Sequence, residues 1–267
     1  MQLKHRVALD GVELDSIDYR IMIQKIEVAD GKENISTVSL MGGSGSRVTN
    51  IHRDSLDVTV KFTIRLRKTE MAAREEILEK VNAWAFAGGW LTTNYKENRR
   101  IKVFRAQAAG AGDPWNWTKE YAIVFRACGV PYWQEKNAET AMFTNVSSKN
   151  ITFGVNGSEK SVLDVQFKNT SGSTINSFTI STGEASMTFS SLGLTNGETL
   201  VIDHHDTGKK NILRIRIRST AGVYRSAMAK RTSGSGNELT ISPGTHTVAM
   251  TAGGAGTITV SCNGRFA

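Results

Sequence analysis

From residue 56 to residue 67 apolar and polar side chains alternate. Val58, Val60, Phe62, Ile64 and Leu66 take one set of positions, and Thr59, Lys61, Thr63, Arg65 and Arg67 take the other. A period of two predicts a strand with one buried and one solvated face. The period then changes. Ile77, Leu78, Val81, Trp84 and Ala85 recur at spacings of three and four, which predicts a helix over Glu70–Ala87. Thr69 is placed to cap it, Glu70 sits where the helix dipole favours an anion, and Gly88-Gly89 provides the stop. Arg74, Glu75, Glu79, Lys80 and Asn82 fall mostly on the opposite face, so the helix is expected to cover one face of a sheet. Weaker strand patterns lie at Ile35–Leu40, Arg100–Ala106 and Glu120–Ala127, and Met41–Ser46 reads as a loop. Strands, one helix and more strands predict an α+β unit with a mainly antiparallel sheet.

After residue 137 the pattern is different. Leu163, Val165 and Phe167 alternate with Asp164 and Gln166; Leu213, Ile215 and Ile217 with Arg214, Arg216 and Arg218; Ile258, Val260 and Cys262 with Thr259 and Ser261. Asn156-Gly157, Asn196-Gly197 and Asn263-Gly264 favour left-handed turn positions. Short strands between turns, with no useful helix, predict an all-β sandwich of jelly-roll or lectin-like type. The expected organisation is therefore mainly β, with an α+β domain over residues 1–137 and a β-sandwich domain over residues 138–267.

Composition supports that division. All five tryptophans, Trp84, Trp90, Trp115, Trp117 and Trp133, precede residue 137, and the remainder is rich in Ser, Thr, Gly and Asn. No apolar run approaches the ~18 residues of a membrane span. The basic N-terminus lacks a following apolar stretch, which argues against a secretory signal. The net charge is +8, shared evenly between the two halves at +4 each, so no basic arm marks a nucleic-acid binder. Cys128 and Cys262 read as two buried small residues rather than a disulfide framework or a zinc site.

Few patterns suggest chemistry. Asp203-His204-His205-Asp206 has metal-ligand residue types, but adjacent side chains on a strand point to opposite faces, and the run suits a polar turn. His5, His52 and His246 are isolated, and no nucleophile elbow, paired-histidine or phosphate-loop motif is present. No catalytic residue, cofactor or metal is expected, and the chain is read as a non-enzyme. Candidate interface residues are the aromatics Trp115, Trp117, Tyr132 and Trp133, since large aromatics are enriched at subunit contacts, and the stripe Arg214, Arg216 and Arg218. The stripe admits three readings: a solvated sheet face, a partner contact, or nucleic-acid binding, the last weakened by the lack of interleaved stacking aromatics. Sugar stacking by the tryptophans is disfavoured because the lectin-like half contains none.

The order of these segments resembles the siphophage tail proteins that include the distal tail protein. The strand Leu56–Arg67 leads into the helix, then Gly89-Trp90-Leu91 and Tyr95, two further strands and the closing Pro131-Tyr132-Trp133. Later come Asn196-Gly197-Glu198-Thr199-Leu200-Val201-Ile202-Asp203 and Leu239-Thr240-Ile241-Ser242-Pro243-Gly244-Thr245-His246-Thr247-Val248, and the terminal strand through Arg265-Phe266. Residues 1–50 match only loosely. The resemblance implies a virion tail-tip or baseplate component with a ring-forming N-terminal belt domain, a homohexamer, and an outward galectin-like sandwich. The implied partners are further copies of the chain, the tail tube protein and the tail-associated hub or fibre protein, with DNA only as cargo passing through. The alternative function is a carbohydrate-binding module for a host cell-wall saccharide; polysaccharide hydrolysis is a third.

Overall fold

A computed structural model describes residues 4–29, 33–39, 46–110, 120–233 and 237–267. The protein is mainly β and divides into two compact units, Met1–Trp133 with Asp206–Asn211, and Gln134–His205 with Ile212–Ala267. Trp115, Trp117 and the loop Met41–Gly45 lie outside the described residues.

Unit 1 contains β1 (Val7–Leu9), β2 (Val12–Glu13), α1 (Leu14–Ile17), β3 (Ile21–Ala29), β4 (Glu33–Ser39), β5 (Ser46–Arg53), β6 (Leu56–Ile64), α2 (Ala73–Phe86), β7 (Gly89–Thr93), β8 (Arg99–Gln107) and β9 (Tyr121–Ala127). Seven strands form an antiparallel sheet in the order β2-β1-β7-β8-β9-β6-β3. The alternation in β6 is realised in full: Leu56, Val58, Val60, Phe62 and Ile64 are buried, and the residues between them are only half-buried. Ile123 and Phe125 of β9, Ile101 and Val103 of β8, and Ile77, Leu78, Val81 and Ala85 of α2 share that buried set. Burying such side chains contributes roughly 1.5–3 kcal/mol each, the main favourable term in this unit.

The helix departs from the expected one in two respects. It starts at Ala73, because the Glu70 carboxylate accepts the Arg67 backbone N–H at 3.0 Å and a single 3-10 turn, Lys68–Glu70, takes the place of the first helical turn. Thr69 is therefore not its cap. Arg74, assigned to the polar face, is buried. Gly88 ends the helix with φ +68 and donates its N–H to the Ala85 carbonyl. Trp84 is only half-buried; its indole N–H donates to the Val12 carbonyl at 3.1 Å and its ring meets Phe125 edge-on. β4 and β5 form a two-stranded hairpin of their own, outside the main sheet.

β10 (Trp133–Glu135) stands at the passage between the units. Unit 2 continues with β11 (Glu139–Val155), β12 (Ser161–Asn169), β13 (Phe178–Ser181), β14 (Ser186–Phe189), β15 (Thr199–Asp206), β16 (Asn211–Arg218), β17 (Tyr224–Ser226), β18 (Arg231–Ser233), β19 (Thr240–Ile241), β20 (Gly244–Cys262) and β21 (Arg265–Phe266). One sheet runs β17-β16-β15-β12-β20-β13-β14-β18, with β11 along β20 and β19 beside β12. The 19-residue β20 is its seam. Its C-terminal half pairs with β12 (Val165 with Val260), its N-terminal half with β13 (Ile180 with Met250), and β11 follows nearly its whole length.

The two halves of β20 join at Gly253-Gly254, where a β-carbon would meet the Ser177 hydroxyl at 2.8 Å and Ile175 at 3.0 Å. Opposite, β11 is irregular between Phe143 and Ser148, with Asn145 at φ 55. Glycines and bulges are how a sheet turns a corner. The sheet curls, and both of its arms bury side chains in one cluster that includes Phe153, Phe167, Phe178, Phe189, Ile202, Ile215, Met250 and Val260.

Three sequence expectations are corrected here. Asp203-His204-His205-Asp206 is the end of β15 rather than a turn, because the strand continues to Asp206 before Thr207-Gly208 reverses the chain. Cys128 is exposed, whereas Cys262 is buried, and both thiols are free. Asn263-Gly264 does not adopt the positive φ that Gly157 and Gly197 do; Gly264 is needed for space, since a β-carbon there would meet the Asn156 carbonyl oxygen at 2.2 Å.

Candidate interaction surfaces

Strand order sets the first surface. Among the described residues β3 pairs with β6 on one side only and so forms an edge of the unit 1 sheet, a row of backbone donors and acceptors available to another chain. Its register shifts between Ile23 and Lys25, and Gln24 instead donates its side-chain amide to the Thr63 hydroxyl at 3.0 Å. Lys25 and Glu27 pair across the outer end at 2.8 Å, and Lys61 reaches Glu27 at 3.2 Å. A bulge and alternating charges restrict which strand can add there. In the β4–β5 hairpin, Ile35 and Val38 are 56% and 57% exposed, on a two-stranded element that could not stay folded by itself.

Exposed aromatics are the second feature of unit 1. Tyr19 and Phe86 are 85% and 72% exposed. Arg105 lies 5.1 Å from the Phe86 ring centroid, and Arg100 stacks 4.2 Å from that of Trp90 with Lys102 close by. Tyr95 is hydrogen-bonded to His5. Such cation–aromatic pairs hold large rings in fixed orientations at modest gain, about 0.5–1 kcal/mol where exposed.

The aromatics singled out in the sequence are placed differently. Trp133 is 1% exposed, with the Lys96 ammonium 5.0 Å from its ring, so it packs inside the protein and offers no free ring to a partner. Tyr132 is half-buried beneath the Arg53 guanidinium, 5.4 Å away. Phe86 was missed, although its position carries a signal. It follows Asn82 by four residues and Glu79 by seven, which puts an aromatic on the polar face of α2.

In unit 2 the arginine stripe is not uniform. Asp203 accepts from both Arg214 (2.7 Å) and Arg216 (2.9 Å), and Arg216 also lies 4.3 Å from the Tyr224 ring centroid. Arg218 is not part of that cluster. The neighbouring His204 is nearly enclosed; its Nδ1 and backbone N–H both reach the Asp164 carboxylate, at 2.9 and 3.0 Å, and Glu238 lies 3.8 Å from its Nε2. Among the described residues no group of three His, Cys, Asp or Glu side chains is arranged to hold a metal ion. His246 makes one long contact with the Pro243 carbonyl, at 3.4 Å. Burial pushes the Cys262 thiol up to about 11, which keeps it protonated and unreactive near neutral pH.

Glu198 is a strongly held carboxylate. The Arg225 guanidinium binds both its oxygens, and the Thr195 backbone N–H donates to it at 2.9 Å. These contacts, Arg225 foremost, pull its pKa down to about 2. Glu184 is likewise held down to about 2, first by Lys160 and then by Ser242.

These features define a mainly β protein of two units whose distinctive surfaces are a free sheet edge, a separate hairpin and exposed aromatics. Its fold is shared with a phage hub protein of known structure. The chain is similar to the SPP1 Dit protein, a hub of the adsorption apparatus in phages that infect Gram-positive hosts, with a TM-score of 0.60 at 11% identity over 98% of this chain and 99% of that one. Chains of the phage p2 baseplate in its activated conformation, solved with strontium and with calcium, align with a TM-score of 0.48 at 8% identity over 97% and 99% of this chain and 97% and 98% of theirs. No protein-family model matches the sequence, and no curated protein matches it.

Proposed function

We propose that this chain is a structural subunit of a phage tail tip, a hub that joins the tail tube to the tail-associated hub or receptor-binding proteins. The observation that carries this reading is the fold shared with a phage hub protein along nearly the whole chain. Unit 1 acts as the belt. It self-associates head-to-tail into a closed homohexameric ring, which requires two different complementary patches on each subunit. The free β3 edge and the β4–β5 hairpin, with Ile35 and Val38, supply chemically different patches for such a contact. Unit 2 is the galectin-like sandwich carried by the ring. DNA passes through the ring and is not read by it, in keeping with the even spread of charge and the engagement of Arg214 and Arg216 by Asp203. The role is assembly, not catalysis.

Negative-stain microscopy and sedimentation of the purified chain test this reading. Six-fold rings are expected, formed alone or on addition of the tail tube protein. A chain that stays monomeric at micromolar concentration, both alone and with that protein, would end the hub reading.

A further inference from the structure

The curled sheet of unit 2 has an outer face whose register can be followed across strands. Lys168 of β12 is the cross-strand partner of Thr199 of β15, so the two side chains share a face, and Arg218 of β16 is the partner of Tyr224 of β17. Lys168, Thr199 and Arg218 line one cavity of about 370 Å³, together with Gly197, Ser219 and Thr220. Its size suits a single small ligand.

The charge in this cavity is unbalanced. Of the three arginines on β16, Arg214 and Arg216 are bound to Asp203, and Arg218 is not. No carboxylate lines the cavity, and among the described residues neither Lys168 nor Arg218 has an acidic partner. Glu198, adjacent to Thr199 in sequence, is occupied by Arg225. Two cations at one small cavity attract an anion, and a guanidinium can grip an oxyanion through two hydrogen bonds. Thr199, Ser219 and Thr220 add three hydroxyl-bearing residues, a lining suited to a ligand that itself carries hydroxyls. Gly197 holds the wall tight with φ +83; a β-carbon there would meet the Thr220 methyl at 2.8 Å.

We propose that this cavity binds an oxyanion borne on a polyol, a sugar phosphate or a uronate, with Lys168 and Arg218 holding the anion and the Thr199–Ser219–Thr220 wall taking the hydroxyls. A nucleic acid is the poorer fit. It needs a run of cations along a backbone, and here Arg214 and Arg216 are held by Asp203, which leaves Arg218 with Lys168 at one small cavity. All the residues of the site belong to unit 2, so binding does not require ring assembly.

Isothermal titration of the full chain tests the site with glucose 6-phosphate, glucuronate, glucose, inorganic phosphate and an oligothymidylate, with Lys168→Gln, Arg218→Gln and, as a control, Arg126→Gln in unit 1. The expected result is millimolar or tighter binding of glucose 6-phosphate or glucuronate, about tenfold better than glucose or inorganic phosphate, weakened about tenfold by either K168Q or R218Q and untouched by R126Q. Whichever of the two sugar acids binds better identifies phosphate or carboxylate as the natural anion. Four results overturn the site: no binding of either sugar acid; glucose binding as well as they do; inorganic phosphate matching them; or oligothymidylate outcompeting them. Unchanged binding in K168Q and R218Q, with both variants melting like the parent, places the ligand elsewhere and also overturns it.

Discussion

Asp203 shows how one carboxylate can change the meaning of a sequence motif. Read along the chain, Arg214, Arg216 and Arg218 are three equivalent cations; in the fold, two are spoken for and one is open. Nothing local in the sequence distinguishes them, because the pairing depends on β15 and β16 lying side by side. Glu198 illustrates the same point with a measurable outcome. Its folded pKa of about 2 lies below the ordinary 4.5, so as acid is added the unfolded chain takes up the proton first. The stability it contributes is intact above about pH 4.5 and is lost progressively as the pH falls toward about 2. Glu184, held at about 2 as well, adds to the same window. Urea unfolding midpoints should therefore fall steadily below pH 4.5, and Glu198→Gln should flatten part of that slope while lowering stability near neutrality. A midpoint in E198Q with the parent's full acid dependence would show that the Arg225 pair plays no part in it.

Elements were legible where they were locally complete. β6 could be read because every second side chain from Leu56 to Ile64 is buried, so a period-two rule applies without exception. The core face of α2 could be read as well, but not its first turn, where the Glu70 carboxylate turns back to the Arg67 N–H. β20 could be read only at its C-terminal end, at Ile258, Val260 and Cys262. Gly253-Gly254 interrupts its alternation, and its inward positions belong to two arms of the sheet. The reading of 203–206 as a turn failed for a related reason: polar residues at the end of a strand resemble a loop when their cross-strand partners are unknown. Gly88 gives an element-scale test. A β-carbon there would lie 2.3 Å from the Val103 carbonyl oxygen, on a backbone at φ +68. Gly88→Ala should cost about 2–5 kcal/mol, the sum of left-handed strain and overpacking, measured as a drop in urea midpoint. A loss under ~1 kcal/mol would mean that β8 can move aside freely.

For the whole molecule, fold class was legible and surfaces were not. Alternation and turn signals suffice to place strands, but which side chain remains exposed after folding depends on every other element. Phe86 stays in solvent while Trp133 is enclosed, although both are large aromatics. The proposed ring makes its own prediction at this scale. Ile35→Lys with Val38→Lys places two charges at exposed positions of β4, outside the main sheet, so the variant should melt within a degree or two of the parent yet fail to form rings in negative stain. Rings of normal appearance would remove the hairpin from the contact. A large fall in melting temperature would show that the hairpin supports the fold.

The long seam strand of unit 2 also has a consequence for synthesis. β20 follows every strand that it joins, so β11, β12 and β13 leave the ribosome with an edge open and wait for a long further stretch of chain to be made. Each of these pairings closes a long loop, the kind of contact that slows folding. The nascent protein therefore passes through a vulnerable interval in which its β-rich second part is translated but lacks its seam, and yield in the cell should depend more on chaperone supply and temperature during translation than on the stability of the finished product.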